Sequence, residues 1–125
     1  MPQIIIKTNR KVSEIPIDFN MKITNLLAEI QNKPSTMTLV SIETNELLTF
    51  GGTKEPCALI ECRSIGSISL EENRIASKRL FEILESDLNL SPGRVFIDFF
   101  DMSADDVAWN QQIFSDRFRS KTFSK

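Results

Sequence analysis

Apolar positions along the chain follow two alternating rhythms. Ile4-Ile5-Ile6 is a short β-branched run and predicts a strand. The polar stretch 9–16, closed by Pro16, predicts a loop. Phe19, Ile23, Leu26, Leu27 and Ile30 then recur at helical spacing, with Asp18 placed to cap the helix. That helix must end before Pro34, because the residue preceding a proline is pushed out of the α region. Residues 38–42 predict a second strand, Gly51-Gly52 a loop, and residues 57–65 a third strand stopped at Gly66. Ser69 and Glu72 have capping-box spacing and open a second helix carrying Ile75, Ala76, Leu80, Ile83, Leu84 and Leu88. Ser91-Pro92-Gly93 ends it, and residues 94–100 predict a fourth strand.

The element order is thus β-α-β, twice. Lys33-Pro34 before the second strand answers Ser91-Pro92 before the fourth, at an offset of 58 that sets Pro2 against Ile60 and Thr8 against Gly66. We read an α/β fold built as a tandem βαβ duplication. Each half pairs its strands in parallel through a right-handed crossover. Two helices then cover one face of a four-stranded mixed sheet. Ile4-Ile5-Ile6 and Val95-Phe96-Ile97 are apolar at consecutive positions, the pattern of a sheet covered on both faces. With both helices on one side, the simplest cover for the other is a second copy of the chain, so a homo-oligomer is expected. A loosely covered face is the alternative.

Composition narrows the chemistry. The 125 residues, 14.2 kDa, imply one domain, and 41% apolar with 26% charged residues is an ordinary globular balance. There is no histidine, hence no Ser-His-Asp triad, Cys-His pair or His-ligated metal, and two cysteines cannot build a four-cysteine zinc site. No resident metal or cofactor is expected. A net charge of −2 and a pI near 5.2 do not point to nucleic acid or an anionic membrane. An RNA-binding βαββαβ sheet also fails for want of a glycine-aromatic strand motif. No basic, apolar leader precedes the first strand, and no apolar run approaches the ~20 residues that span a bilayer. Membrane insertion is not expected, and synthesis in the cytosol is. Cys57 and Cys62, five apart in one predicted strand, would lie ~16 Å apart, too far for a disulfide, and read as free buried thiols. The tail from Ser115 sets Arg117, Arg119, Lys121 and Lys125 against Asp116, a net +3. It reads as a frayed, solvated extension, or as a docking segment.

Without histidine, the candidate bases are carboxylates, lysines and the N-terminal amine. Proline at position 2 is small enough for the initiator methionine to be removed. That would leave Pro2 as a secondary amine tethered to a strand by Ile4, Ile5 and Ile6. An α-amino group titrates near 7.7–8.0, and burial or a nearby cation lowers that value toward the range useful for proton abstraction. By itself Met-Pro is a weak signal.

Longer blocks add to it. MPxxxxxTN at 1–9, NKP at 32–34, FGGTKEPCALIECRSIG at 50–66, EENR at 71–74, SPGRVFIDFFDM at 91–102 and VAWNQQIF at 107–114 resemble the macrophage migration inhibitory factor family, which includes D-dopachrome tautomerase. The inhibitory-factor branch fits better. The resemblance spans residues 1–114 as one domain, leaving 115–125 as a basic C-terminal extension. It implies a homotrimer whose three sheets wrap into a barrel, with a cofactor-free keto–enol tautomerase pocket at each subunit interface. Pro2 matches the catalytic proline and Lys33 the lysine that holds a substrate carboxylate. Ile65 matches the residue whose backbone N–H meets substrate, and Val107, Trp109 and Phe114 match the apolar wall. The implied substrates are phenylpyruvate-like keto acids or dopachrome-type molecules. A second implied function is a secreted, cytokine-like signalling protein, exported by a leaderless route and bound by a cell-surface receptor. Read without the family, Lys33 is an ordinary charge at a helix C-terminus, and Trp109 and Phe114 are plain core.

The chain departs from the family pattern in its pocket. Phe96 stands where tyrosine is common, so the ring stays and its hydroxyl is lost. Asp98 replaces a common asparagine on the neighbouring subunit's side. A carboxylate there would repel an acidic substrate and favour protonated Pro2, so weakened or shifted activity is expected. The family's Cys-x-x-Cys is incomplete, with Cys57 present and Ile60 in the second place, which does not support thiol–disulfide chemistry. While Met1 remains attached, the Pro2 nitrogen is a tertiary amide and no base.

Overall fold

A computed structural model describes residues 2–123. The chain runs β1 (Pro2–Thr8), α1 (Phe19–Gln31), β2 (Leu39–Thr44), β3 (Ala58–Ser64), α2 (Leu70–Leu88) and β4 (Val95–Asp101). A small hairpin of β5 (Ala108–Trp109) and β6 (Gln112–Ile113) follows, then α3 (Phe114–Phe123). The main sheet has the order β2-β1-β3-β4. β1 pairs with β2 in parallel, β3 with β4 in parallel, and the halves meet where β1 and β3 run antiparallel. The expected α/β duplication with a four-stranded mixed sheet is therefore present. Its period is slightly shorter than the proline spacing suggests. Pro2 and Ala58 open β1 and β3, and Leu39 and Val95 open β2 and β4, a repeat of 56. The left-handed residues after the helices, Asn32 and Asn89, are 57 apart.

β1 and β3 alternate buried and half-buried positions along their length. Ile4, Ile6, Ala58, Ile60 and Cys62 face Phe19, Ile23, Leu26 and Leu27 of α1 and Leu80, Leu84 and Leu88 of α2 in one core. Each fully buried large apolar side chain contributes about 1.5–3 kcal/mol relative to exposure. Ile75, expected in this core, is exposed, because the buried face of α2 runs Ala76, Leu80, Leu84, Leu88. Asp18 occupies the N-cap position of α1 without a side-chain cap bond and sits 3.7 Å from Lys22 instead. Ser69 does cap α2, accepting from the Glu72 N–H at 3.2 Å, while its hydroxyl donates to the Glu72 carboxylate at 3.1 Å. α2 stops at Leu88, before Ser91-Pro92-Gly93, because Asn89 already turns left-handed. Asn9 secures the segment before β3: its amide donates to the carbonyls of Leu48, Lys54 and Glu55 and its oxygen accepts from the Cys57 N–H.

The sheet face away from the helices is mixed rather than uniformly apolar. Ile5 and Leu59 are half-buried and Phe96 and Phe100 exposed. Among them Glu61 lies 3.3 Å from both Lys7 and Arg63, and the Arg63 guanidinium lies over the Phe100 ring. Hydrogen bonding to Lys7, with help from Arg63, holds the Glu61 carboxyl below its ordinary range. The tail is not frayed where it is described: residues 114–123 form α3. Among the described residues, no helix is long and apolar enough to cross a membrane.

Candidate functional site

The site begins at the C-terminus of α1. Asn32 adopts a left-handed conformation (φ 52), and its N–H reaches the Glu29 carbonyl while the Lys33 N–H reaches Ala28. This is a Schellman ending, and Pro34 prevents the helix from continuing. The turn swings Lys33 across the end of β3. There its ammonium donates to Ser64 Oγ at 2.9 Å and to the Ile65 carbonyl at 2.9 Å. Ser64 is fully buried, and its hydroxyl donates onward to Gln31 Oε1 at 3.1 Å. Ser64 is also the cross-strand partner of Pro2. Lys33, Ile65 and the buried Pro2 are therefore brought together at one end of the sheet.

A second group is brought in by the β5–β6 hairpin. Its two-residue turn, Asn110-Gln111, has positive φ at both positions (52° and 67°), as a tight hairpin of this kind requires. The fold-back places Trp109 against Phe114, ring centroids 6.4 Å apart, and the Phe114 N–H bonds the Val107 carbonyl at 3.0 Å. Phe114 is only 4% exposed, Trp109 40%. Two cavities meet at Phe114 and Met37. One, of about 260 Å³, is walled by Met37, Leu39, Val107, Trp109 and Phe114. The other, of about 240 Å³, is lined by Lys33, Ile65, Met37, Phe114, Arg117 and Phe118. Pro2 is fully buried, paired across the strands with Ser64.

Phe96 and Asp98 are not part of this cluster within one chain. Asp101 is the residue of β4 opposite Ser64, which sets Asp98 and Phe96 about 10 and 16 Å further along the strand. Both are exposed on the open face. Phe96 stacks on Phe50 at 5.3 Å, beside the turn in which Gly51 and Gly52 carry positive φ. Asp98 lies across from Glu61. Cys57 and Cys62 are buried and free, and Cys57 precedes β3 rather than belonging to it. Burial pushes the Cys62 thiol up to about 12.

Sequence reasoning passed over Ser64 and Gln31, which hold Lys33, and Met37, which lines both cavities; it placed Arg117 and Phe118, which line the smaller one, only in a tail read as solvated or as a docking segment near the pocket rim. Gln31, Ser64 and Met37 carry no pattern that marks them. Arg117 and Phe118 do: they follow Phe114 by three and four residues, one helical face.

Comparison with known proteins agrees with the fold. A family model described as Macrophage migration inhibitory factor (MIF) matches residues 1–115. The macrophage migration inhibitory factor of Rattus norvegicus is 39% identical over 115 residues, 92% of this chain and 100% of the relative. A homolog from Trichinella spiralis is 36% identical over 114 residues, 91% of this chain and all of its own. The solved structure of the Trichinella spiralis factor superposes with a TM-score of 0.84 at 35% identity, covering 86% of this chain and 96% of that one. With the family's model spanning all but the last residues, and relatives this similar along their full length, the chain belongs to the macrophage migration inhibitory factor family.

Proposed function

We propose that this protein is a cofactor-free keto–enol tautomerase of phenylpyruvate-like α-keto acids, with the mature N-terminal Pro2 as general base. The observation that carries it is the Lys33 ammonium, held on Ser64 and Ile65, one strand from Pro2 and open to a cavity with an aromatic wall. Once Met1 is removed, Pro2 becomes a secondary amine. Burial and the neighbouring cation both disfavour its protonated form, which lowers its pKa toward neutrality. A keto acid placing its carboxylate on Lys33 then presents the carbon beside its carbonyl to the Pro2 nitrogen. Pro2 takes the proton and returns it to carbon or oxygen, so positioning and one tuned base suffice. Phe96 and Asp98, remote from their own Pro2 and exposed on the open face, are supplied to a neighbour's pocket in a homotrimer. Intact mass establishes whether Met1 is gone, and phenylpyruvate turnover by wild type and Pro2→Gly tests the base. The variant is expected to lose about 10²- to 10⁴-fold in kcat. Full activity in Pro2→Gly refutes the mechanism.

The family and its named relatives, all migration inhibitory factors, favour a second reading: a cytokine-like signal with a vestigial pocket. Under it the chain is made in the cytosol, leaves by a leaderless route and presents its oligomer surface to a receptor. Retained Met1, or turnover indifferent to Pro2, points to this reading.

A further inference from the structure

α3 adds a second cation to the cavity of Lys33. The family match ends at residue 115, whereas α3 continues from Phe114 to Phe123. Arg117 and Phe118 share the Phe114 face of that helix. The Phe118 ring stands 5.5 Å from that of Phe114, and the Arg117 guanidinium carbon lies 4.6 Å from the centroid of the Trp109 ring. Both side chains line the same 240 Å³ cavity as Lys33 and Ile65.

Lys33 has limited donor capacity left for a carboxylate. An ammonium has three N–H donors, and Ser64 and Ile65 occupy two of them. One is left for a ligand group with two oxygens. A guanidinium stacked on an aromatic face is pre-oriented, with its N–H edge directed outward in the plane of the fork, the geometry that meets both carboxylate oxygens. We propose that Arg117 is a second carboxylate-binding residue of the Lys33 cavity and gives it selectivity for acids over neutral ligands of the same shape. The proposal rests on the tautomerase reading only for the identity of the substrate.

Trp109 is the only tryptophan, so its fluorescence follows ligand arrival without turnover. The test titrates 3-phenylpropanoate and its neutral amide into wild type, Arg117→Gln and Arg117→Lys. Glutamine keeps helix propensity and most of the length while removing the charge. Arg117→Gln is expected to weaken the acid by about ten- to a hundredfold and the amide by less than about twofold. Arg117→Lys is expected to fall between, because charge survives and the fork does not. Equal weakening of acid and amide makes α3 a wall only and overturns the proposal. So does no weakening of the acid, or no saturable binding to wild type. The two readings fail separately: a Met1-free protein that binds acids through Arg117 yet does not turn over phenylpyruvate leaves this inference standing and removes the catalytic one.

Discussion

Ser64→Ala removes the one buried group that ties Lys33 to the strand beside Pro2. The Ser64 hydroxyl accepts from Lys33 Nζ at 2.9 Å and donates to Gln31 Oε1 at 3.1 Å. A hydrogen bond to a charged partner contributes about 1.5–3 kcal/mol to stability and a neutral one about 0.5–1.5. Lys33 and Gln31 are half-buried, so water recovers part of both losses. The expected cost is about 2 kcal/mol, at the low end of the summed range. Lys33→Met keeps the apolar stem, deletes the cation and leaves Ser64 Oγ and the Ile65 carbonyl without that donor. Its cost is expected to be similar, about 2 kcal/mol.

Because the two substitutions break the same bond, the double variant is expected to cost at least about 1 kcal/mol less than their sum. Urea unfolding at one fixed protein concentration measures this cycle, since an oligomer's apparent stability depends on concentration. The pH profile of kcat/KM supplies a readout that a purely structural role does not move. A cation near Pro2 disfavours its protonated form and lowers its pKa. Loosening Lys33 therefore raises the pKa of the base, and deleting it raises it further. Costs that add to within about 0.5 kcal/mol, together with an unmoved pH profile, refute the Ser64–Lys33–Pro2 linkage.

Three further outcomes are expected. Burial holds the Cys62 thiol protonated to about 12, whereas the unfolded thiol ionises near its ordinary value of about 8.5. The stability it contributes is complete below the unfolded value and is lost as pH rises toward the folded one, by about 1.4 kcal/mol per pH unit. Cys62→Ala should flatten that loss in urea midpoints taken from pH 8 to 10.5, and parallel profiles for the two proteins count against the burial cause. Asp98→Asn removes a carboxylate from the proposed shared pocket and should raise phenylpyruvate kcat/KM about five- to tenfold, as expected for one like charge near a surface. Phe96→Tyr, adding a hydroxyl, should raise it about two- to tenfold. Rates at or below the parent for both contradict their placement in the pocket.

The fold was legible because its signals are local. Phe19, Ile23, Leu26 and Leu27 mark one helix face by spacing alone, and two similar βαβ rhythms reveal the duplication. What escaped depends on tertiary competition. Asp18 has the right chemistry to cap α1, yet its backbone (φ −94, ψ 4) departs from the extended conformation a capping residue adopts. Ile75 has the right hydropathy for the core, yet the face of α2 that meets the sheet passes it by. Residues 115–123 look like a solvated tail because their charges dominate, but Phe114, Arg117 and Phe118 sit on one helical face against Trp109, and the aromatic contacts decide.

The candidate site was read in a different way, by resemblance of blocks, and its geometry explains why periodicity alone was not enough. Pro2, Lys33 and Ile65 lie far apart in sequence and converge only because β1 and β3 pair antiparallel while α1 ends in a left-handed asparagine. Phe96 and Asp98 do not converge with them at all within one chain. A sheet whose open face displays Phe96 and Phe100 beside ion pairs has apolar area to cover and charges to place, which a random contact does not satisfy. Each family position absent from the Pro2 end of its own chain is found on that open face. The polar and apolar pattern of that face is what the proposed homotrimer would use, another copy bringing its Pro2, at the end of the inner strand β1, against Phe96 and Asp98.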